Sequence, residues 1–227
     1  MVVGNRRGEA SRSGLLEAGK AAFSERRYEE VSIVDLARSI GVAAGSISYH
    51  FGGKRGFYLA VLEAAADEFW SDLVSMRGPA LDRLTRGVDK FLDRAIRQPR
   101  AFEALIADVA DGEVRRIREL HRSRLTDALA VEVTGADSTP VLRAAISGSV
   151  SFMEGLVLHW LRTKEISREK VKELIIANFF ATVLSALRAD PEIELSGRVV
   201  EAMTSDSPLL SLFPGLPAAP KPAENLE

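Results

Sequence analysis

The chain has 227 residues, 46% hydrophobic and 27% charged, which is enough for one large or two small domains with an ample core. It holds no cysteine, which excludes disulfides, thiol catalysis and Cys-ligated zinc and fits a reducing compartment. A net charge of −2 excludes a basic nucleic-acid coat, yet residues 1–58 hold nine Lys/Arg against six Asp/Glu, a net of +3 that leaves −5 for the rest.

Residues 1–10 are polar, lack the apolar run of a secretory leader, and read as a terminal arm. Ser11 reads as the cap of a first helix whose inner stripe is Leu15, Leu16, Gly19, Ala22 and Phe23, ending near Arg26 or Arg27. Ser32, with Asp35 three residues on, marks a second helix start. Ile33, Leu36, Ala37 and Ile40 then fall on one face, and Gly41 supplies a left-handed C-cap. Ala43 to Phe51 reads as a third helix that buries Ile47 and Phe51 and turns Ser46, Tyr49 and His50 outward, with Lys54 following. Two short helices about a glycine turn form the helix-turn-helix pattern, whose second helix enters the DNA major groove. An ordinary helical hairpin with a solvated face gives the same pattern.

Four segments in order carry a resemblance. They are S-R-x-x-L-L-E-A-G-x-x-x-F (Ser11 to Phe23), Y-E-E-V-S-I-x-D-L-A (Tyr28 to Ala37), G-V-A-A-G-S-I-S-Y-H-F (Gly41 to Phe51) and Lys54. Over about 55 residues without a gap the chain resembles TetR/AcrR-type transcriptional regulators. The resemblance implies a DNA-facing set of Ser32, Ala44, Ser46, Tyr49, His50 and Lys54, with Ser46 and Tyr49 in the groove and Ser32, His50 and Lys54 on the backbone. Three departures stand out. Arg27 replaces a usual Gly, implying mild left-handed strain; Ala43 and Ala44 replace a hydroxyl and a basic residue; Gly52-Gly53 replaces a Lys/Ser-like pair and loosens the link to the next helix.

From Arg55 a helix of about 20 residues carries Phe57, Leu59, Val61, Leu62, Ala65, Phe69, Trp70 and Leu73 until Gly78-Pro79. Residues 80–195 show no strand-like alternation. They read as helices over Ala80 to Arg97, a short one from Pro99 closed by Asp111-Gly112, Glu113 to Val133 with a basic face, Val141 to Thr163, and Ser167 to Arg188. The last two carry surplus apolar surface. They suggest pairing with a second copy in a four-helix bundle through Phe152, Leu156, Trp160, Ile176, Phe180, Val183 and Leu184, and members of the resembled family dimerise through such a pair. A short helix, Leu195 to Met203, and an irregular tail over 205–227 complete the chain.

The expected fold is therefore all-α with about nine to ten helices: a DNA-binding domain over 1–58, a ligand-binding and dimerisation bundle over 59–204, and a homodimer. No metal or cofactor motif is present: Gly52-Gly53-Lys54-Arg55 lacks the phosphate-loop spacing, and His50, His121 and His159 lack zinc spacing. The 14-residue apolar run from Leu174 to Leu187 is too short to span a bilayer. Candidate lining for an effector pocket is Trp70, Phe91, Phe102, Ile106, His121, Leu125 and Phe152, with Arg124 or Glu154 as polar handles. The expected function is a cytoplasmic, non-enzymatic repressor with three partners: double-stranded operator DNA, a small-molecule effector and itself. The alternative is a helical ligand-binding or enzymatic protein whose hairpin binds no DNA.

Overall fold

The computed structural model describes residues 3–74, 80–107 and 110–204, with the backbone alone for 3–10, 72–74, 80 and 201–204. Every regular element among the described residues is helical: α1 (Val3–Glu25), a 3-10 turn (Tyr28–Glu30), α2 (Ile33–Ser39), α3 (Ser46–Phe51), α4 (Lys54–Val74), α5 (Ala80–Arg97), α6 (Pro99–Ala107), α7 (Gly112–Thr134), α8 (Pro140–Thr163), α9 (Arg168–Ala189) and α10 (Gly197–Thr204). The expected tail over 205–227 and the stop at Gly78-Pro79 lie outside the described residues.

Hydroxyl and carboxylate caps fix the starts of α2, α7, α8 and α9. Ser32 Oγ accepts from Asp35 N at 3.3 Å, Thr139 Oγ1 from Leu142 N at 3.3 Å, and Ser167 Oγ from Lys170 N at 3.3 Å. Asp111 does not close α6 as the sequence suggested. Its carboxylate accepts from Glu113 N and Val114 N at 3.0 and 3.2 Å and so opens α7, with Gly112 inside that helix. Two other starts differ from expectation. α1 begins at Val3 rather than at Ser11; no proline interrupts residues 3–10, where the helix formers Arg6, Arg7, Glu9 and Ala10 stand beside the weaker Gly4, Asn5 and Gly8. α3 begins at Ser46 rather than Ala43: Ser46 N donates to Ala43 O at 2.9 Å, a three-residue turn, and Gly45 is a poor helix former.

Two cores share one helix. Leu15, Phe23, Val31, Leu36, Ala37 and Ile47 pack with Phe57 and Val61 of α4. Leu62, Ala65, Ala66, Phe69 and Trp70 of the same helix enter the larger core formed with α5 to α9. Gly19 makes the α1–α4 crossing close, since a Cβ there would stand 2.6 Å from Phe57 Cζ and Val61 Cγ2. Gly41, Gly52 and Gly53 have φ of 72°, 74° and 123°, so the turns on either side of α3 use conformations that side chains disfavour. Gly52-Gly53 therefore sets the angle between α3 and α4. Arg27, by contrast, is extended at φ −69°, so the expected left-handed strain is not there. Ile40, expected in the core, is 37% exposed because the chain turns away at its C-cap position.

Salt links tie the two cores together. Glu68 in α4 meets Lys20 of α1 and accepts from Arg94 Nη1 of α5 at 2.6 Å. Arg55, in the first turn of α4, reaches Asp111 at 2.5 Å and Glu113 at 3.1 Å, at the start of α7. By length and composition alone α8 is long and apolar enough to cross a membrane. Its inner residues Leu142, Ile146, Val150, Met153 and Val157 fill the protein core instead, around the buried Glu154.

Candidate nucleic-acid interface

The amphipathic spacing of α3 determines what this helix shows to solvent. Ile47 is fully buried, and the half-buried Phe51 ring lies 5.0 Å from Phe57. Two residues beyond Ile47, Tyr49 is 85% exposed. So exposed a ring adds little to the folding energy and is open to an external contact. Ser46 is half-buried in the first turn, and Ala44 is exposed in the turn before it. His50 is half-buried, with its ring edge-on to Tyr49 at 5.0 Å and to Phe51 at 6.1 Å. The structure thus brings Ala44, Ser46, Tyr49 and His50 onto one short segment.

The other two expected residues have structural partners. Ser32 is exposed, and its hydroxyl oxygen is the α2 cap. Lys54 places its ammonium 4.7 Å from the Tyr28 ring centroid and donates to Glu29 O at 3.2 Å, which holds α4 against the 3-10 turn. Three residues were not singled out from the sequence. Ser48 is exposed on α3; Arg12 sets its guanidinium 5.2 Å from the Phe51 ring, beside the end of α3; Arg55 ties α4 to α7. Ser48 was legible from its spacing. Arg12 and Arg55 were not, because their partners lie far along the chain.

The second expected site lies within the larger core. Trp70, Phe91, Phe102, Ile106, His121 and Leu125 are all buried there. Phe69, Phe91 and Phe102 meet edge to face with centroids 5.4–6.1 Å apart, and Trp70 stacks on His121 at 5.5 Å. Phe152 does not join them. It is 40% exposed on the outer face of α8, because the adjacent Met153 and Glu154 take the inward positions. Arg124 is also outside, 63% exposed near Asp67, whereas Glu154 is wholly buried and takes the Arg118 guanidinium at 2.7 Å. Desolvation raises the Glu154 pKa, against the opposing pull of Arg118 and Arg122. Desolvation lowers that of His121, with Asp67 pulling the other way. A cleft of about 400 Å³ opens separately between α7 and α8, with Arg122, Asp127 and Arg143 in its wall.

The expected dimer set divides in the same way. Trp160, Ile176, Phe180 and Val183 are at most 9% exposed, packed into this chain's own α8–α9 core, and Trp160 Nε1 donates to Ile166 O at 2.9 Å. They offer a partner little surface, which corrects their sequence-based placement. Phe152 is exposed and Leu156 and Leu184 are half-buried, beside the exposed Leu174, Gly148 and Gly155.

Comparison with known proteins bears on the whole arrangement. Residues 15–61 match the family described as bacterial regulatory proteins, tetR family. The HTH-type transcriptional regulator BetI 2 of Chromohalobacter salexigens is 38% identical over 71 residues, 31% of this chain and 34% of that protein. The match to the HTH-type transcriptional regulator BetI of Pectobacterium atrosepticum is longer, 29% identical over 164 residues, 66% of this chain and 80% of the relative. In fold, the crystal structure of a tetR-family transcriptional regulator from Streptomyces coelicolor superposes with a TM-score of 0.77 at 24% identity, covering 90% of this chain and 94% of that one.

Proposed function

Because the chain belongs to the TetR family of DNA-binding bacterial transcriptional regulators, we propose that it is a cytoplasmic repressor that grips a pseudo-palindromic operator as a homodimer and releases it when a small-molecule effector occupies the body. The observation that carries this reading is Tyr49, 85% exposed on a helix anchored by the fully buried Ile47. Tyr49, Ser46 and Ala44 enter the major groove, where hydroxyls reach base edges and a ring or methyl packs on thymine. Ser32, His50 and Lys54 lie along the phosphates and set the register.

In the same reading the chain has two parts, a head over 1–58 and a body over 59–204. The change of core between Val61 and Leu62 supports the division, a few residues further along α4. Two copies join through the outer faces of α8 and α9, using Phe152, Leu156, Leu174 and Leu184, with Gly148 and Gly155 admitting close approach. The dimer holds two α3 helices about 34–36 Å apart, one helical turn of DNA. An effector that prefers another arrangement of the body shifts the dimer away from this spacing by its differential affinity alone. Arg55, bonded to Asp111 and Glu113, is the mechanical link from body to head.

Selection of bound fragments from a genomic library tests the reading. The expected result is one enriched pseudo-palindrome whose affinity falls steeply between 50 and 200 mM salt. Absence of any enriched sequence from folded protein at 50 mM salt refutes it.

A further inference from the structure

Along one seam of the body, four buried polar atoms lack a hydrogen-bond partner. Glu154 Oε2 accepts from Arg118 Nη2 at 2.7 Å, while Oε1 has no partner. Arg118 Nε is also without one. One turn further along α7, His121 is 4% exposed; its Nδ1 lies 3.5 Å from Asp67 Oδ1, and its Nε2 is unpartnered. Trp70, 4% exposed, stacks on that imidazole, and its indole Nε1 is unpartnered too. The groups are contiguous: Trp70 lies on His121, His121 follows Arg118 by a turn, and Arg118 meets Glu154. Buried polar groups are nearly always hydrogen-bonded, and orphaned ones destabilise a fold. Four in one seam, two of them on the joined Arg118–Glu154 pair, leave hydrogen-bonding capacity for a bound molecule to fill.

The atoms define what that occupant is. Trp70 Nε1 and Arg118 Nε donate, Glu154 Oε1 accepts, and His121 Nε2 accepts when the proton sits on Nδ1 facing Asp67. An anion would meet the Glu154 carboxylate. A cation would meet Arg118 and also Arg122, whose Nη1 is 3.7 Å from Glu154 Oε2. The occupant is therefore uncharged. Phe69, Phe102, Leu125 and Met153 belong to the same core as Trp70, so the surroundings are mainly apolar. We propose that the seam between α4, α7 and α8 binds a neutral, mainly apolar small molecule whose hydroxyl or amide groups donate to Glu154 Oε1 and accept from Trp70 Nε1. The inference rests on the reading that the body takes an effector, and it names the effector's class. Burial lowers the His121 pKa, which favours the neutral ring that accepts. Entry parts the Trp70–His121 stack and moves α7, whose first turn holds Arg55 through Asp111 and Glu113.

Titration calorimetry on the full chain tests this with three probes of one shape: 4-hydroxybenzamide, 4-hydroxybenzoate and 4-hydroxybenzylammonium. The expected result is saturable binding of the neutral amide, with both ions at least tenfold weaker. Trp70→Phe keeps an aromatic ring and removes the donor; it is expected to weaken the amide at least fivefold while the variant stays folded. Equal binding of all three probes, no saturable binding of the amide to the wild-type chain, or unchanged affinity in folded Trp70→Phe overturns the proposal. Operator binding measured on the same wild-type protein separates the two readings. Selective operator binding without neutral-probe preference removes this site and leaves the repressor standing, whereas loss of operator binding removes the repressor.

Discussion

Gly56→Ala tests how the recognition helix is held. Gly56 lies in the first turn of α4, and a Cβ built there would stand 1.9 Å from the backbone oxygen of Phe51. Ordinary contact begins at 3.4 Å, so about 1.5 Å must be found. No side chain can swing aside, because the obstacle is the backbone at the end of α3. The two helices must part, which spoils the 5.0 Å Phe51–Phe57 contact. Overpacking of this kind costs about 1–3 kcal/mol, and a backbone obstacle places it at the upper end. Alanine recovers about 1 kcal/mol through helix propensity. The net expectation is a loss of about 2 kcal/mol, or roughly 4–8 °C in Tm for a chain of this size, with operator affinity reduced in the fraction that stays folded. Gly14→Ala is the control: its Cβ meets nothing within 4 Å, so the same change in α1 is expected to stabilise by about 0.5–1 kcal/mol. Urea unfolding followed by helical circular dichroism reads both. A stabilised Gly56→Ala protein with unchanged operator affinity would refute the close approach of α4 to α3.

Tyr49→Ala is expected to weaken specific operator binding by about 1–3 kcal/mol with unchanged Tm, because the side chain is 85% exposed; equal fluorescence-anisotropy titrations would strike Tyr49 from the interface. Arg55→Gln breaks a bridge whose arginine is 42% exposed, so its stability cost is expected to stay within about 1 kcal/mol. Its larger expected effect is a smaller change in operator affinity on effector binding, and an undiminished response would remove Arg55 from the coupling. The His121 pKa is depressed in the fold, so its contribution is complete above the ordinary value of 6.5 and is lost as pH falls through the lower, folded value. Melting curves from pH 7.5 to 5 are expected to show this loss in the wild type and less of it in His121→Phe. Parallel curves would contradict the assignment. Asp111, held low by its bond to Arg55, titrates in a more acidic window and does not confuse the test.

Much of this architecture is legible in the residues because local rules decide it. Ser32, Ser167 and Gly41 fix ends through hydrogen bonds or backbone conformation within a few positions. The outward face of α3 follows from Ile47 and Phe51 at a four-residue spacing. The inward faces of α8 and α9 were less legible. Apolar residues ring those helices almost completely, so periodicity cannot tell a residue of the chain's own core from one left for a partner. Trp160 and Val183 go inside, whereas Phe152 stays out. The Arg55 bridge spans 56 and 58 residues, and no local signal carries it.

The central claim is that α3 reads DNA through Tyr49. A crystal structure of the protein on its selected operator tests it most directly. The account predicts α3 of each copy in successive major grooves, with Tyr49 against a base edge or a thymine methyl and the two helices about 34–36 Å apart. A complex in which α3 lies away from the groove, or in which Tyr49 faces solvent, would contradict it.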